Sequence, residues 1–266
     1  MTKQISSLQN PFVKELISLK EKSRSRRKIG KFLIEGRKEI DLAIKGGYYI
    51  ECLIYNPNII SASDVTAYTA QLTKLIEVSN EVYERLAYRE STQGVLAVAK
   101  SKELMLTNLV LKREHPLILV AEAPEKPGNI GALLRTADAA NVDAVIIANP
   151  RTDIYNPNII RSSVGCVFTN QIATGSTQEI IDYLKANNVH IFCAALQASE
   201  TYHTQDYTKS TAIVVGTEST GLTNEWLSNS TQNIIIPMQG EIDSMNVSVS
   251  AAIIIFEAKR QRQFRS

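Results

Sequence analysis

The sequence has little cysteine, few histidines and no long apolar run. Cys52, Cys166 and Cys193 are odd in number, far apart and without a C-x-x-C, so neither a disulfide framework nor a zinc site is indicated. His115, His190 and His203 stand apart from one another and from the cysteines, which argues against a metal partner. No stretch approaches the roughly 18 apolar residues of a membrane span, and no apolar signal core follows the first lysine. A cytoplasmic protein without a membrane partner is therefore expected. G-x-G-x-x-G, G-x-x-x-x-G-K-[ST] and G-x-S-x-G are all missing, which leaves dinucleotide, P-loop and nucleophile-elbow chemistry without support.

What is present is ordinary globular composition: 266 residues, 44% hydrophobic and 21% charged, enough for one large domain or two ordinary ones. The net charge of +2 hides an uneven distribution. Residues 20–31 carry seven basic groups against Glu21 alone, and residues 257–266 carry four against Glu257. The rest of the chain is left with 18 basic against 25 acidic residues. A basic segment on an acidic body suits phosphate-backbone binding, which is driven by counterion release; a solvated arm is the plainer reading.

Along the chain, helices alternate with short strands. Pro11 opens a helix with Phe12, Leu16 and Leu19 on one face. Strands are expected at 32–34, 49–55, 75–78 and 95–99, and helices at 37–45, 64–72 and 80–87. Residues 100–114, charged at both ends, read as a linker between domains at 1–104 and 112–266. Beyond it, strands are expected at 117–120, 144–148, 189–195, 212–215 and 233–236, with helices at 157–162, 177–187 and 223–228. Such alternation implies a mainly parallel sheet covered on both faces. A further helix starts in the Pro/Gly-rich loop before Asn129, which reads as its cap. Ile130, Leu133, Leu134 and Ala137 form its apolar stripe, and Arg135 falls roughly 150° away at 100° per residue, facing water or a cleft. The string I-Y-N-P-N-I-I occurs at 54–60 and again at 154–160, and reads as shared turn chemistry and not as duplication.

The last helix, from Val247 to Phe256, is apolar on nearly every side and needs cover on both faces. It begins within I-P-M-Q-G-E-I-D-S-M-N-V-S-V-S, residues 236–250. That stretch, with N-I-G-A-L-L-R-T-A at Asn129–Ala137 and G-T-E-S-T-G-L at Gly216–Leu222, resembles in order and spacing the three motifs of the SpoU (TrmH-like) family of RNA 2'-O-ribose methyltransferases in the SPOUT superfamily. I-S-S-L-Q-N-P-x-V-K followed by F-L-I-E-G-R is similar to the family's N-terminal substrate-binding domain, so the resemblance covers most of the chain.

The resemblance implies an α/β protein with a trefoil-knotted, mainly parallel catalytic domain and a smaller N-terminal α/β RNA-binding domain. It implies S-adenosylmethionine as cofactor at Leu196, Gly216, Ile236 and Met245, and a catalytic set of Asn129, Arg135, Glu218, Ser244 and Asn246. The expected activity is 2'-O-ribose methylation of RNA, foremost ribosomal RNA, by a homodimer formed through the C-terminal domain. A non-catalytic RNA-binding or ribosome-assembly protein of the same fold is the alternative from another class, and a resistance-type rRNA methyltransferase differs from the main reading only in its target. Thr217–Thr220 between the motif glycines, and Met245 where the family usually has leucine, depart from the pattern without removing a reactive group.

Overall fold

The computed structural model describes residues 3–66, 74–89, 93–197, 199–217 and 219–264. The chain forms two compact units and passes between them three times: residues 1–103 and 153–169 make the first, 104–152 and 170–266 the second. Residues 1–103 supply β1 (Lys3–Ile5), α1 (Pro11–Glu21), α2 (Ser23–Ile29), β2 (Lys31–Glu35), α3 (Arg37–Lys45) and β3 (Ile50–Tyr55). They continue with α4 (Ala62–Thr66), β4 (Lys74–Val78), α5 (Asn80–Leu86) and β5 (Val95–Lys100). Residues 104–152 carry β6 (Leu117–Glu122), α6 (Pro127–Ala139) and β7 (Ala144–Ala148), and 153–169 bring α7 (Pro157–Ser162) back to the first unit. The second unit ends with β8 (Ile172–Gly175), α8 (Thr177–Ala186), β9 (His190–Ala194), β10 (Glu200–Thr201), β11 (Thr211–Val215), α9 (Asn224–Asn229), β12 (Gln232–Ile235) and α10 (Val247–Gln261).

The first unit is a mixed five-stranded sheet in the order β1-β4-β3-β5-β2. Alternation along β2 divides its side chains between two layers. Leu33 joins Val13, Leu16 and Leu19 of α1 and Val82, Tyr83 and Leu86 of α5 in one core. Phe32 points the other way and stacks on Tyr155, ring centroids 4.2 Å apart, with Phe168 at 5.9 Å and Tyr48 edge-on at 6.0 Å. Tyr155 and Phe168 belong to the returning segment, so a stretch from the middle of the chain completes the core of the N-terminal unit.

The basic segment 20–31 is mostly helix, and its cations are not equally available to a partner. Arg26 is 3% exposed. Its Nη2 donates to Asp153 Oδ2 at 2.5 Å, its Nε to both carboxylate oxygens at 3.1 Å, and its Nη1 to the carbonyls of Leu19 and Lys20. Within this segment Arg24, Arg27 and Lys28 are exposed, whereas Arg26 ties the returning segment to the α1–α2 corner.

The second unit has a seven-stranded, wholly parallel sheet in the order β10-β12-β9-β11-β6-β7-β8. One face is covered by α8 and α9, whose Ile180, Ile181, Leu184 and Trp226 pack on Ile118, Val120, Ile146 and Val214. Helices α6 and α10 pack against each other, and α10 also meets β11. Residues 104–111, expected as part of a linker, instead run along β8: Thr174 N–H donates to the Leu104 carbonyl at 2.7 Å, and Leu106, Leu109 and Leu111 pack against the core. The repeated N-P-N strings make the same local bond, Asn58 N–H to Asn56 Oδ1 and Asn158 N–H to Asn156 Oδ1, but only the second opens a helix. The expected helix over 64–72 is helical to Thr66, and residues 67–73 lie outside those described.

Arg26→Gln leaves Asp153 buried without its cation, a change that costs about 3–5 kcal/mol for ion pairs of this kind. Arg24→Gln and Arg27→Gln, both at exposed positions, should stay within about 0.5 kcal/mol of wild type. Thermal melting of the three variants checks the contrast.

Candidate active site

All seven strands of the second unit run the same way, so the loops that follow them emerge along one edge of the sheet. From β6 the chain steps outward through β7 to β8, then crosses to build β9, β11 and β12 on the other side of β6. The order reverses beside β6, and in open α/β sheets ligands bind outside the carboxyl ends of strands at such a reversal. The loops over those ends are 123–126 after β6, 195–199 after β9, 216–223 after β11 and 236–246 after β12.

Helix α6 starts three residues earlier than a cap at Asn129 would place it. Pro127 occupies the first turn and Lys126 is the N-cap, the position proline favours because its missing N–H is not needed there. Asn129 is therefore not the cap. Its side-chain Oδ1 is free to accept from Asn246 Nδ2 at 3.2 Å. Asn246 itself caps α10, accepting from the Ser248 N–H at 2.9 Å and the Ser248 hydroxyl at 2.6 Å. One contact thus joins the first turn of α6 to the start of α10, across 117 residues of sequence.

Between those helix starts and the loop after β11 lies a cleft of about 370 Å3, lined by Pro124, Glu125, Lys126, Asn129, Gly216, Thr217, Ser219 and Val247. The volume falls within the roughly 300–1,000 Å3 of small-molecule sites. The loop at its wall closes on itself: Thr217 N–H donates to the Gly221 carbonyl at 3.1 Å and Gly221 N–H to the Thr217 carbonyl at 3.2 Å. A Cβ at Gly216 would overlap the backbone of Gly221 and Leu222, and Gly221 sits at φ +69. Both glycines are needed for a turn this tight.

The exit of the same loop is held from below. Glu122, the last residue of β6 and 3% exposed, accepts from the Thr223 N–H at 3.0 Å, the Thr223 hydroxyl at 3.3 Å and the Thr177 hydroxyl at 3.2 Å. A carboxylate buried this deeply is tolerated because its oxygens are hydrogen-bonded. Nearby Cys193 has its thiol pushed up to about 12, by burial first and then by the charge of Glu122. It is a packing residue and not a nucleophile.

Of the residues expected from the sequence, Asn129 and Gly216 line the cleft, and Asn246 is bonded to the first of them. Arg135 is exposed on α6, clear of the buried Ile130, Leu133, Leu134 and Ala137, as its helical phase required. Ser244 is exposed and donates to Asp243 Oδ1 at 3.1 Å. Ile236 and Met245 are half-buried and Leu196 is 58% exposed, all in loops over the neighbouring strands β12 and β9 but not among the residues lining this cleft. Glu218 lies outside the described residues. The sequence reading missed Lys126, Thr217, Ser219 and Glu122; an acid closing the otherwise apolar strand L-I-L-V-A-E was the available signal for the last.

The SpoU rRNA Methylase family matches residues 116–256, and the MRM3-like substrate binding domain matches residues 10–97. The chain belongs to the SpoU rRNA methylase family. A 23S rRNA (guanosine(2553)-2'-O)-methyltransferase, RlmP, of Bacillus subtilis is 30% identical over 97% of this chain and 99% of its own length. A solved RNA 2'-O ribose methyltransferase is 38% identical over 98% of this chain and 99% of that one, with a TM-score of 0.83. The AdoMet-bound rRNA methyltransferase from Sinorhizobium meliloti is 30% identical over 97% and 98%, with a TM-score of 0.89. This SpoU methylase is an RNA 2'-O-methyltransferase whose cofactor is S-adenosylmethionine. The residues present fit that cofactor: the cleft has room for a small molecule, Pro124 and Val247 give it apolar walls, and Gly216 lets backbone form its side.

Gly216→Ala forces the loop off Gly221, and overpacking of this kind typically costs about 1–3 kcal/mol. Calorimetric titration with S-adenosylmethionine should register a loss of binding larger than the fall in melting temperature explains.

Proposed function

We propose that this SpoU methylase modifies ribosomal RNA as a homodimer, with a trefoil-knotted cofactor site in the second unit and RNA held by the first. The contact between Asn129 and Asn246 carries the reading, because it brings the first and third family motifs to one cleft whose wall is the second. The knot is supported by the position of β12, the last strand in sequence, which lies inside the sheet between β10 and β9 and not at an edge. The ribosomal target is supported by the relatives' named substrates, RlmP of Bacillus subtilis among them.

S-adenosylmethionine supplies a methyl group already attached to a good leaving group. The chain's own task is to position the ribose hydroxyl and manage its proton. Leu196, Ile236 and Met245, from the loops after β9 and β12, are proposed to hold the cofactor together with Gly216, the one of the four that lines the cleft. Asn129 and Asn246 can share hydrogen bonds with a bound ribose while fixing each other's orientation. Arg135 is proposed to orient the substrate phosphate and polarise the hydroxyl; a guanidinium stays protonated and is unsuited to abstract the proton itself. Glu218 and Ser244 complete the set by motif position.

Arg135→Ala should leave the melting temperature and cofactor affinity near wild type and cut single-turnover methylation by on the order of a hundredfold, the usual cost of misplacing a reactant. Arg135→Lys should rescue poorly, since an ammonium cannot reproduce the bidentate fork. Near-normal turnover in Arg135→Ala removes the residue from the catalytic set.

Dimerisation is supported by α10. Ala251, Ile254, Ile255 and Ala258 are buried within the chain, whereas Val249 is 47% and Phe256 40% exposed on the same helix, with Ile253 half-buried between them. Apolar side chains grouped this way mark an interface. Sedimentation at micromolar concentration should give a dimer, and Val249→Asp with Phe256→Asp should give a folded monomer. A monomeric wild type would sink the proposal.

A further inference from the structure

Tyr88, just after α5, is held firmly at its backbone and left open at its ring. Its N–H donates to Glu35 Oε2 at 2.7 Å, and the Arg89 N–H donates to both Glu35 oxygens at 3.2 and 3.3 Å. Burial pushes the Glu35 carboxyl up, partly offset by those two amide bonds and by the charge of Arg89. The carboxylate thus sits in a costly place and fixes the turn that carries Tyr88. Arg89 is itself engaged by Glu39. Tyr88 nevertheless remains 43% exposed.

The cation over that ring comes from the returning segment. Arg161, at the end of α7 and exposed, has its guanidinium carbon 6.0 Å from the Tyr88 ring centroid. No carboxylate among the described residues pairs with it. Leu33, Leu86, Leu96 and Ile160 floor the shallow groove between them. At its end Lys20 donates to the carbonyls of Arg85 and Ala87 at 2.9 and 2.7 Å, fastening α1 to the Tyr88 turn. The exposed Arg24, Arg27 and Lys28 of α2 follow directly in the chain.

An exposed aromatic ring serves a phosphate poorly and a splayed base well. Unpaired bases stack on aromatic rings and on guanidinium planes, whereas bases inside a duplex offer no free face. We infer that Tyr88 and Arg161 form a stacking platform for one unpaired base of the substrate RNA, with the α2 cations contacting the flanking backbone. The inference rests on the reading of this chain as an RNA methyltransferase. It adds that the first unit recognises a single-stranded segment and that the base is gripped by residues from both halves of the sequence.

The test uses the full chain and a fluorescein-labelled single-stranded oligouridine of about ten nucleotides, within the usual span of single-strand sites, beside a blunt RNA duplex. Tyr88→Ala should weaken oligouridine binding about five- to a hundredfold, the measured range for losing one base–aromatic stack. Its salt dependence should stay unchanged, because no phosphate contact is lost. Tyr88→Phe keeps the ring and should bind like wild type; Arg161→Gln should weaken binding; duplex affinity should not move in any of them. Equal affinities for Tyr88→Ala and Tyr88→Phe, or an equal loss on the duplex, overturns the platform. Methyl transfer and cofactor titration by the wild type test the underlying function separately, so failure there is told apart from failure of the platform.

Discussion

A parallel sheet allows loops after strands to meet at only one edge, and in the second unit that constraint decides where chemistry can occur. The motif loops are separated by up to 117 residues in sequence, as the Asn129–Asn246 contact spans. They converge because β6, β11, β9 and β12 are neighbours that all end on the same side. Each loop is then held by a different device. Pro127 starts α6 early, Glu122 anchors the exit of the loop after β11 at Thr223, and Asn246 caps α10. Pro127 and Glu122 contribute shape alone, whereas Asn246 contributes it beside its proposed role in the site.

The first unit depends on a long-range constraint of another kind. A chain of 103 residues is large enough to fold alone, but here part of its core is supplied from 153–169 through Tyr155, Phe168 and the buried pair of Arg26 with Asp153. The returning segment lies within the stretch matched by the methylase family. The stretches matched by the substrate-binding domain and by the methylase family are thereby interleaved in the fold and not simply joined end to end.

These differences explain what could be read from the sequence. Strands buried on both faces, such as Ala144–Ala148, declare themselves as short apolar runs, and helix α6 declares its phase through Ile130, Leu133, Leu134 and Ala137, so the exposure of Arg135 followed. Short edge strands gave no such signal: Ile172–Gly175 has only two buried positions, and Glu200–Thr201 is two residues long. Pro127 was a local signal that Asn129 could not be the cap, and Leu106, Leu109 and Leu111 were a signal that the supposed linker packs. The burial of Arg26 was beyond local reading, because its partner Asp153 is 127 residues away and nothing near either residue distinguishes that arginine from its exposed neighbours.

The two asparagines show why a motif residue can be structural and functional at once, and magnitudes separate the roles. Losing a side-chain N-cap costs about 1 kcal/mol of stability, while a tenfold fall in rate corresponds to about 1.4 kcal/mol in the barrier. If Asn246 only capped α10, its removal would lower stability slightly and leave the rate nearly intact. Its second bond, to Asn129, changes that expectation. Asn246 Oδ1 is taken by Ser248 while Nδ2 reaches Asn129, so the amide cannot rotate without breaking either the cap or the contact across the cleft. The cap therefore fixes which way Asn246 faces, and a bond made for helix stability becomes part of the geometry available to a ribose.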